Sequence, residues 1–360
     1  MNKYLLRTVY NLIKAKRLKV ALIQALDRLN IPVYRLAIDT NNSCNLRCIM
    51  CYMSLDEYRQ KIDIMPVDMF ESIAKQIFGK TRVLDLSCGF EPFMTRDFLS
   101  YLRIARKYCR GFISICTNAL LLNEETIEAI CGEQLLDELI ISVDGIKEST
   151  YHSIRINGDF NKLISNLKIL KEKKGNASKP VVRLNYTMLR QNIDELPGIY
   201  EFVKKYDINA VQLRHAKLMA PFNDLFNESL FYYQDLYDEV MREIIPQFHK
   251  DNHIKLIHPP LFSDKNPIVA DKSQCAYPWF YFIISSDGNV KMCHSGYIGN
   301  IGQSCFSDMI SSDFVKRTRG LLLKGRHEEI CGGCHNISDI GSTKAKEYYI
   351  QSERYCSPYS

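Results

Sequence analysis

The sequence lacks the segments that would carry it into or across a membrane. No stretch approaches the roughly 18 consecutive apolar residues that a transmembrane helix needs. The first residues do not match a signal peptide, because Lys14, Lys16 and Arg17 interrupt the apolar stretch. We therefore expect a cytoplasmic protein in a reducing compartment, where clustered cysteines bind metal or carry out redox chemistry more often than they form disulfides.

Strong charge and biased composition are also missing. The formal net charge is +6 over 360 residues, and no dense basic run is interleaved with aromatic residues. This mild charge permits an anionic substrate without requiring one, and it argues against nucleic acid as a partner. The composition is typical of a globular protein with one large domain or two. What the chain does have in abundance is cysteine, 13 in all.

The first 33 residues predict a basic amphipathic helix. Asp27 is their only acid, and leucines recur at helical spacing, at Leu18, Leu22, Leu26 and Leu29. We expect this helix to pack on the outside of the main domain. The less favoured alternative is that it contacts a membrane surface or a partner protein.

Strand and helix patterns alternate from residue 34 to about residue 220. The expected strands are 34–40, 82–87, 112–117, 138–143, 181–188 and 209–214. Six strands that are each followed by a helix predict a parallel α/β sheet with right-handed crossovers. The sheet is either open and doubly wound or curled into a partial barrel, and in both cases the reactive groups belong beyond the C-terminal strand ends.

The pattern changes after this α/β region. Residues 221–270 look like a helical linker that ends in a proline-marked loop, "HPPLFSDKNP". Residues 271–340 are rich in cysteine and glycine and contain a short hairpin around "SSDGNV". We expect a small second domain there, followed by a tail over 341–360.

Three cysteines, Cys44, Cys48 and Cys51, lie just after the first predicted strand. A cubane iron–sulfur cluster has four irons that each take one protein ligand, so three thiolates leave one iron with an open position. An open position is where a cofactor or substrate binds, as in catalytic zinc sites. From the residues alone, the alternative is a zinc knuckle that a distant cysteine completes.

The spacing of these cysteines, followed by the aromatic Tyr52, resembles the signature of the radical S-adenosylmethionine superfamily. In that family the methionine part of the cofactor binds the open iron, and one electron cleaves a carbon–sulfur bond. The 5'-deoxyadenosyl radical that results takes a hydrogen atom from the substrate. The resemblance implies a partial (β/α)6 barrel of parallel strands over 34–220, one [4Fe-4S] cluster, and S-adenosylmethionine as cofactor.

Other strand ends are similar to the cofactor-binding segments of the family. "GFEP" (89–92) resembles the Gly-Gly-Glu-Pro motif that holds the cofactor's amino group, with Phe90 in place of the second glycine. "TNAL" resembles Thr-Asn-Gly, with Ala119 as the departure, and "SVDG" resembles a segment that contacts the ribose and carboxylate. The cofactor-binding residues that the resemblance implies are Tyr52, Gly89, Phe90, Glu91, Asn118, Ser142, Asp144 and Arg155.

A second cysteine set lies in the small C-terminal region. It consists of Cys275, Cys293, Cys331 and Cys334. By spacing alone this set suits structural zinc or a four-thiolate iron–sulfur cluster. Gly288 and Cys293 match the Gly-x4-Cys element of the family's SPASM/twitch extension. The cysteine count resembles the shorter, twitch form with one auxiliary [4Fe-4S] cluster, as in a cyclitol-oxidising dehydrogenase of the family. Cys305 and Cys356 are alternative ligands.

Four cysteine ligands leave no iron open, so the second cluster is suited to electron transfer. We therefore expect an oxidoreductase that oxidises or epimerises its substrate after hydrogen abstraction. The resemblance also implies an electron donor such as flavodoxin or ferredoxin. Weak candidates for the acid, base or hydrogen donor are Arg214, His215, His294 and Cys88.

The sequence indicates the substrate class less clearly than it indicates the cofactors. Only 33 residues precede the first predicted strand, which favours a small hydroxylated molecule such as a sugar or cyclitol, phosphorylated or nucleotide-linked given the mild positive charge. The alternative is a peptide-modifying maturase. A hypothesis of a different class is a non-enzymatic zinc-binding module, which gives no reason for a glutamate at the end of the second strand.

Overall fold

The computed structural model describes residues 16–59, 61–87, 89–216, 222–251, 253–264, 275–293 and 296–326. The following positions of the sequence analysis lie outside the described residues: Cys88, His294, Cys331, Cys334, Cys356 and the predicted tail over 341–360. The first described helix is α1 (Lys16–Arg28).

The described strands form one large sheet and one small one. The strands are β1 (Tyr34–Ile38), β2 (Arg47–Cys48), β3 (Thr81–Leu86), β4 (Phe112–Thr117), β5 (Glu138–Ser142), β6 (Arg155–Ile156), β7 (Val181–Met188), β8 (Ala210–His215), β9 (Lys255–Ile257), β10 (Tyr281–Ile284), β11 (Asn289–Met292) and β12 (Tyr297–Asn300). The large sheet has the order β12-β11-β10-β1-β3-β4-β5-β7-β8-β9, and β2 pairs with β6. All six predicted strands are confirmed, and they are parallel neighbours.

Helices alternate with the strands of the parallel sheet. They are α2 (Val67–Ile77), α3 (Phe98–Tyr108), α4 (Glu124–Gly132), α5 (Glu148–Ile154), α6 (Phe160–Lys174), α7 (Ile199–Lys205) and α8 (Gln234–His249), followed in the C-terminal region by α9 (Phe306–Ile310) and α10 (Asp313–Leu323). Short 3-10 helices connect several of them. Asn123 and Asp159 cap α4 and α6, since their side chains accept backbone N–H groups of the first turn.

The two faces of the sheet differ in polarity. On β7 the side chains of Leu184 and Tyr186 are buried in the main hydrophobic core, whereas those of Arg183 and Asn185 are half-buried. Because successive side chains of a strand point to opposite faces, one face packs on the helices and the other is polar. The polar face is the place where a ligand can meet charged and hydrogen-bonding groups.

The sheet curls toward its polar face. In a flat sheet, β1 and β8 would be separated by five strand spacings, or roughly 24 Å. Nevertheless, Arg35 on β1 and Arg214 on β8 are close enough for the Arg35 charge to lower the pKa of Arg214, after the larger effect of burial. Such an approach of β8 to β1 agrees with the predicted partial barrel, whose interior would be lined by the polar face.

The C-terminal region extends the same sheet. β10 pairs in parallel with β1, so that Phe282 lies beside Leu36, and both side chains are fully buried in the main core. β11 and β12 add antiparallel strands beyond β10. The predicted second domain is thus joined to the barrel by main-chain hydrogen bonds, which pair the strand edge that β1 would otherwise expose.

The helices that precede and follow the barrel segment in the sequence also pack against the rest of the protein. Val20 and Ile23 of α1 contact a small core that contains Ala276, Trp279 and Leu322. The described part of the predicted N-terminal helix therefore packs against the C-terminal region, and the expectation for the whole segment 1–33 stays a prediction. Helix α8, in the predicted linker, buries Tyr237 and Met241 in the main core. Of the helices in the described ranges, none has the length and apolarity for a membrane span.

The hairpin between β10 and β11 depends on its glycine. Gly288 has a φ of +82°, and a Cβ there would lie 3.2 Å from Asn300 Oδ1. The Asp287 carboxylate accepts hydrogen bonds from Ser285 Oγ at 2.6 Å and Asn289 Nδ2 at 2.6 Å. These contacts fix the turn that leads into Cys293.

Candidate active site

The three-cysteine loop begins at the C-terminal end of β1. Cys44, Cys48 and Cys51 are half-buried, and none forms a disulfide. The Cys51 N–H donates to the Cys48 carbonyl at 2.9 Å, and Cys48 pairs with Arg155 through the two-stranded β2–β6 sheet. This pairing attaches the middle of the loop to the segment that follows β5.

The loop offers thiols suited to a cluster. Burial raises the pKa of the Cys48 thiol to about 11 and also raises that of Cys44. The free thiols of Cys44 and Cys48 are therefore protonated at neutral pH, whereas iron would deprotonate them on binding. Among the described residues, no three His, Cys, Asp or Glu side chains converge on one point suited to a single metal ion. A cubane cluster makes no such demand, because each thiolate binds a different iron.

Glu91 lies beside the loop with its carboxylate buried. Its side chain is 3% exposed. Oε1 accepts the Thr117 hydroxyl at 2.7 Å and the Phe93 N–H at 3.3 Å, while Oε2 accepts the Asn118 N–H at 2.8 Å. Burial raises the pKa of Glu91, and these hydrogen bonds oppose that effect. No cation forms an ion pair with this carboxylate in the part of the chain that is described, so an ammonium group fits the site.

Asn41 fixes the geometry between Glu91 and the cysteines, although the sequence analysis does not identify it. Its amide donates to the Glu91 carbonyl at 3.0 Å and to Thr95 Oγ1 at 2.8 Å, while its Oδ1 accepts the Ser43 N–H at 2.8 Å. In addition, the Glu91 N–H donates to the Ser43 carbonyl at 3.0 Å. The signal that could have revealed Asn41 is an asparagine directly after a strand and three residues before the first cysteine.

Asn118 also supports the cysteine loop. Its side-chain amide donates to Asn45 Oδ1 at 2.8 Å and makes a long contact of 3.9 Å with Cys44 Sγ. The next residue, Ala119, has a φ of +64° where the family motif has glycine. The backbone is therefore left-handed at this position, a conformation that glycine adopts more readily than alanine.

Arg155 and Asp144 form a buried ion pair behind the loop. The guanidinium donates to Asp144 Oδ2 at 2.6 Å and to the Val143 carbonyl at 3.0 Å. Asp144 Oδ1 accepts the Thr187 N–H at 2.6 Å. Both side chains are at most 8% exposed. Both carboxylate oxygens are thus engaged within the chain, and the pair connects the loop to β5 and β7. Direct contact of either residue with the cofactor stays a prediction.

The other predicted cofactor residues lie beside the cysteine loop, next to Glu91 or in the barrel interior. Tyr52 is 39% exposed, and its ring contacts Tyr58 and Phe222. The Gly89 N–H donates to Asp39 Oδ1 at 3.2 Å, and the Phe90 carbonyl accepts the Ser87 hydroxyl at 2.7 Å. In the barrel interior, Ser142 Oγ lies 3.3 Å from Cys116 Sγ.

Two weak catalytic candidates, Arg214 and His215, are neighbours on β8 and so point to opposite faces. Arg214 lies on the polar interior face, where its side chain keeps access to solvent although the surrounding protein lowers the pKa of its guanidinium. His215 packs among Phe231, Tyr237 and Phe262. Burial lowers the pKa of His215 to about 4, so the imidazole is neutral at neutral pH. Its position gives it a packing role on the helix side of the sheet.

The C-terminal cysteines are described in part. Cys275 is half-buried ahead of β10, and Cys293 is buried at the end of β11, where its N–H donates to the Tyr281 carbonyl at 2.9 Å. Cys305 is exposed and precedes α9. The assignment of Cys275, Cys293, Cys331 and Cys334 to one cluster stays a prediction, since the last two lie outside the described residues.

Comparison with known families matches two regions of the chain. The model of the radical SAM superfamily matches residues 38–203. The model of the SPASM iron–sulfur cluster-binding domain matches residues 275–335, the range that holds all four predicted auxiliary cysteines. The two matched ranges contain the cysteine loop, the Glu91 segment and the second cysteine set.

Two curated relatives differ in how much of the chain they match. A cysteine-type anaerobic sulfatase-maturating enzyme of Clostridium novyi is 25% identical over 327 residues, covering 82% of this chain and 83% of that protein. A probable GTP 3',8-cyclase of Thermoplasma volcanium is 28% identical over 172 residues, covering 47% of this chain and 50% of that protein. The chain thus spans about half the length of the second relative.

Solved structures share the fold. Native anSMEcpe with bound AdoMet superposes with a TM-score of 0.62 at 17% identity, covering 88% of this chain and 96% of that one. Streptococcus suis SuiB bound to the precursor peptide SuiA gives a TM-score of 0.63 at 16% identity, with 83% and 70% coverage. At these identities the similarity supports the α/β barrel architecture and its C-terminal extension.

Proposed function

We propose that peptide or protein modification is the function of this chain, which belongs to the radical S-adenosylmethionine superfamily and carries a C-terminal SPASM domain. Its cofactors are S-adenosylmethionine and two [4Fe-4S] clusters. The reaction class that we propose is oxidation or epimerisation of a residue in the substrate, starting with removal of a hydrogen atom.

The extent of the match to the sulfatase-maturating enzyme carries this proposal. That alignment covers 82% of this chain and 83% of that protein, whereas the match to the Thermoplasma cyclase covers 47% of this chain. A sugar or cyclitol substrate is the first expectation from the sequence, on the length of the segment before β1. The comparisons favour the peptide alternative over that preference, since the length of an N-terminal segment is a weak guide to substrate class.

The described residues have distinct roles in this proposal. Cys44, Cys48 and Cys51 would hold the first cluster, and the buried Glu91 carboxylate would accept hydrogen bonds from the cofactor's ammonium group. When bound and reduced by one electron, S-adenosylmethionine supplies a 5'-deoxyadenosyl radical that abstracts hydrogen. Asn41 and Asn118 keep the Glu91 segment and the cysteine loop at a fixed separation through hydrogen bonds.

The second cysteine set has a different role. Because Cys275, Cys293, Cys331 and Cys334 would fill all four iron positions, we assign them an electron-transfer role and not substrate binding. An oxidation that starts with hydrogen abstraction leaves one further electron and one proton to remove; a redox group near the barrel could accept the electron, and a base would take the proton. The parallel pairing of β10 with β1 is consistent with such proximity.

Anaerobic purification followed by a substrate screen tests the function. We expect about eight irons per chain, four for each cluster. On reduction with S-adenosylmethionine, peptides should stimulate 5'-deoxyadenosine formation and should change by the loss of two hydrogens or by deuterium uptake from D2O. Sugars, cyclitols and nucleotides serve as the comparison set. Modification of one of these and of no peptide would contradict the proposal.

Two variants test the second cysteine set and the predicted cofactor carboxylate separately. Cys275→Ala/Cys293→Ala should lose about four of the irons and still cleave S-adenosylmethionine, because the first cluster is intact. Glu91→Gln should keep all the iron and bind the cofactor more weakly, since a neutral amide replaces the carboxylate. Iron counts and equilibrium binding of S-adenosylmethionine measure both effects.

A further inference from the structure

The three cysteines of the loop differ in how many hydrogen-bond donors reach their sulfur atoms. Cys44 Sγ lies 3.4 Å from the main-chain nitrogen of Leu46 and 3.9 Å from Nδ2 of Asn118, and it accepts from both. In the part of the chain that the structure describes, neither Cys48 nor Cys51 accepts a hydrogen bond at its sulfur. Cys44 is thus the cluster ligand whose sulfur the surrounding chain is arranged to hydrogen-bond.

The loop itself holds the first of these donors. The Arg47 guanidinium donates to the carbonyls of Cys44 and Leu46, at 2.7 Å each, and so fixes the turn that connects them. This turn directs the Leu46 N–H to the sulfur of Cys44, two residues earlier. Because the donor belongs to the main chain, it is present whatever side chain occupies position 46.

The second donor, Asn118, comes from a different strand, since it follows β4. The residue is 5% exposed. Its amide nitrogen has two acceptors, Asn45 Oδ1 at 2.8 Å and Cys44 Sγ at 3.9 Å. A primary amide carries two N–H donors, so these acceptors use both of them. The side-chain oxygen is also engaged, because it accepts the Leu120 N–H at 2.9 Å.

The main chain of Asn118 is engaged on the cofactor side of the site. Its N–H donates to Glu91 Oε2 at 2.8 Å, on the carboxylate where the cofactor's ammonium group would bind. The residue therefore lies between two predicted binding groups, with its main chain on the carboxylate and its side-chain amide toward a cluster ligand. A cofactor contact through that amide, which the motif predicts, has no free donor.

Binding of iron changes what the Cys44 sulfur can accept. A thiol sulfur is a weak acceptor, in agreement with the long 3.9 Å contact, whereas iron binds the thiolate. Hydrogen bonds to a charged acceptor are shorter and stronger than those to a neutral one. Hydrogen bonds to the sulfurs are among the properties that set the reduction potential of an iron–sulfur cluster. Because a reduced cluster carries one more electron, its sulfurs accept more strongly, so such a bond raises the potential.

We propose that Asn118 is a positioning residue for the first cluster, whose side-chain amide donates a hydrogen bond to the Cys44 thiolate and thereby raises the reduction potential of the cluster. A higher potential lets a given electron donor reduce a larger fraction of the protein. The assignment rests on the cluster and not on the substrate class, so its failure would leave the proposed peptide modification standing.

A second asparagine on the same turn separates this role from a purely structural one. Asn166 of α6 is buried and donates to the carbonyls of Ala119 and Leu122, at 2.7 Å and 3.0 Å. It holds the turn after β4, as Asn118 does, but it contacts no cysteine sulfur within the described ranges. Asn166→Leu is therefore the matched control for Asn118→Leu.

Redox titration of the cluster-loaded protein, monitored by electron paramagnetic resonance, measures the potential. The signal that changes on addition of S-adenosylmethionine identifies the first cluster, because a cluster with three thiolate ligands has an open iron. At a fixed applied potential, Asn118→Leu should lower the ratio of reduced to oxidised first cluster roughly three- to tenfold. Asn166→Leu should reduce the stability of the protein and leave this ratio unchanged. Both variants should keep about eight irons per chain.

Pulsed electron paramagnetic resonance provides a second readout that needs no variant and so does not depend on cluster assembly in Asn118→Leu. In wild-type protein labelled with 15N in its asparagine side-chain amides, the reduced first cluster should couple to a 15N nucleus. Unlabelled S-adenosylmethionine, added to identify that cluster, contributes only 14N. An unchanged ratio in iron-replete Asn118→Leu, an equal change in Asn166→Leu, or the absence of 15N coupling in the wild type would each overturn the assignment.

Discussion

Around the cysteine loop, the buried side chains of Asn41, Glu91 and Asn118 find hydrogen-bond partners within the chain. In the barrel interior, the Arg214 charge and Asn185 Oδ1 find no complementary group among the described residues. The first region holds its shape before any ligand is present, whereas the second has polar groups that a ligand could satisfy. In the proposed function, the first region would be a preorganised cofactor end and the second a substrate end.

The strongest test of the preorganised region removes one partner of its buried ion pair. Asp144→Ala leaves the Arg155 guanidinium buried and unpaired, so we expect the free energy of unfolding to fall by about 3–5 kcal/mol. Urea denaturation followed by circular dichroism measures the change. Glu133→Ala, which breaks the exposed pair with Arg103, is the control and should cost less than about 1 kcal/mol. Equal costs would mean that burial does not distinguish the two pairs.

A second test removes the amide that connects the loop to the Glu91 segment. Asn41→Ala leaves the Glu91 carbonyl and the Ser43 N–H without their partner, and we expect a loss of about 2–3 kcal/mol in the free energy of unfolding. The cysteine loop should also bind iron less completely. Asn161→Ala, at an exposed hydrogen bond to Glu148, should change neither quantity. Normal stability and iron content would refute the role of Asn41.

A third test uses the other face of β8, where His215 packs against aromatic rings. Its pKa is about 4 in the folded protein and about 6.5 in the unfolded chain, so the unfolded state binds the proton more readily. The stability contributed by the neutral imidazole is present above pH 6.5 and is lost as the pH falls toward 4. Between pH 7.5 and pH 5 this loss is about 2 kcal/mol.

His215→Phe should remove that part of the pH dependence, because phenylalanine keeps the aromatic packing and does not titrate. Urea denaturation at several pH values, compared between the two proteins, isolates the histidine from the other titrating groups. Parallel pH profiles for wild type and variant would mean that His215 is not buried as a neutral side chain.

The smallest expected effect concerns Ala119, where the loop backbone has a φ of +64°. Ala119→Gly relieves the strain of a side chain in the left-handed region, but it also increases the entropy of the unfolded chain. We expect these terms to cancel to within about 1 kcal/mol, as thermal denaturation would record. Ala119→Val should destabilise the protein, because a β-branched residue is poorly accommodated at positive φ.

The sequence predicted the parts of the site that depend on local patterns. The six parallel strands, the cysteine loop after β1 and the carboxylate of Glu91 lie where the alternation and the motifs indicate. The pattern could draw attention to Asn41 by its position before the first cysteine but could not give its role, because that role depends on a carbonyl that lies 50 residues away. Nor could it reveal that β10 continues the sheet beside β1, since the residues of a strand do not specify which other strand it pairs with.

The sequence by itself determined which chemical groups are present and at which strand ends they emerge: three closely spaced thiols, a glutamate and a second cysteine set. Only the tertiary structure decided which of these groups are satisfied. Asp85 and Glu138 neutralise Arg35 and Arg183 across neighbouring strands, and no such partner meets Arg214 in the described part of the chain. The physical reason is that charge compensation depends on distance through space, which the curl of the sheet sets and the order of residues does not.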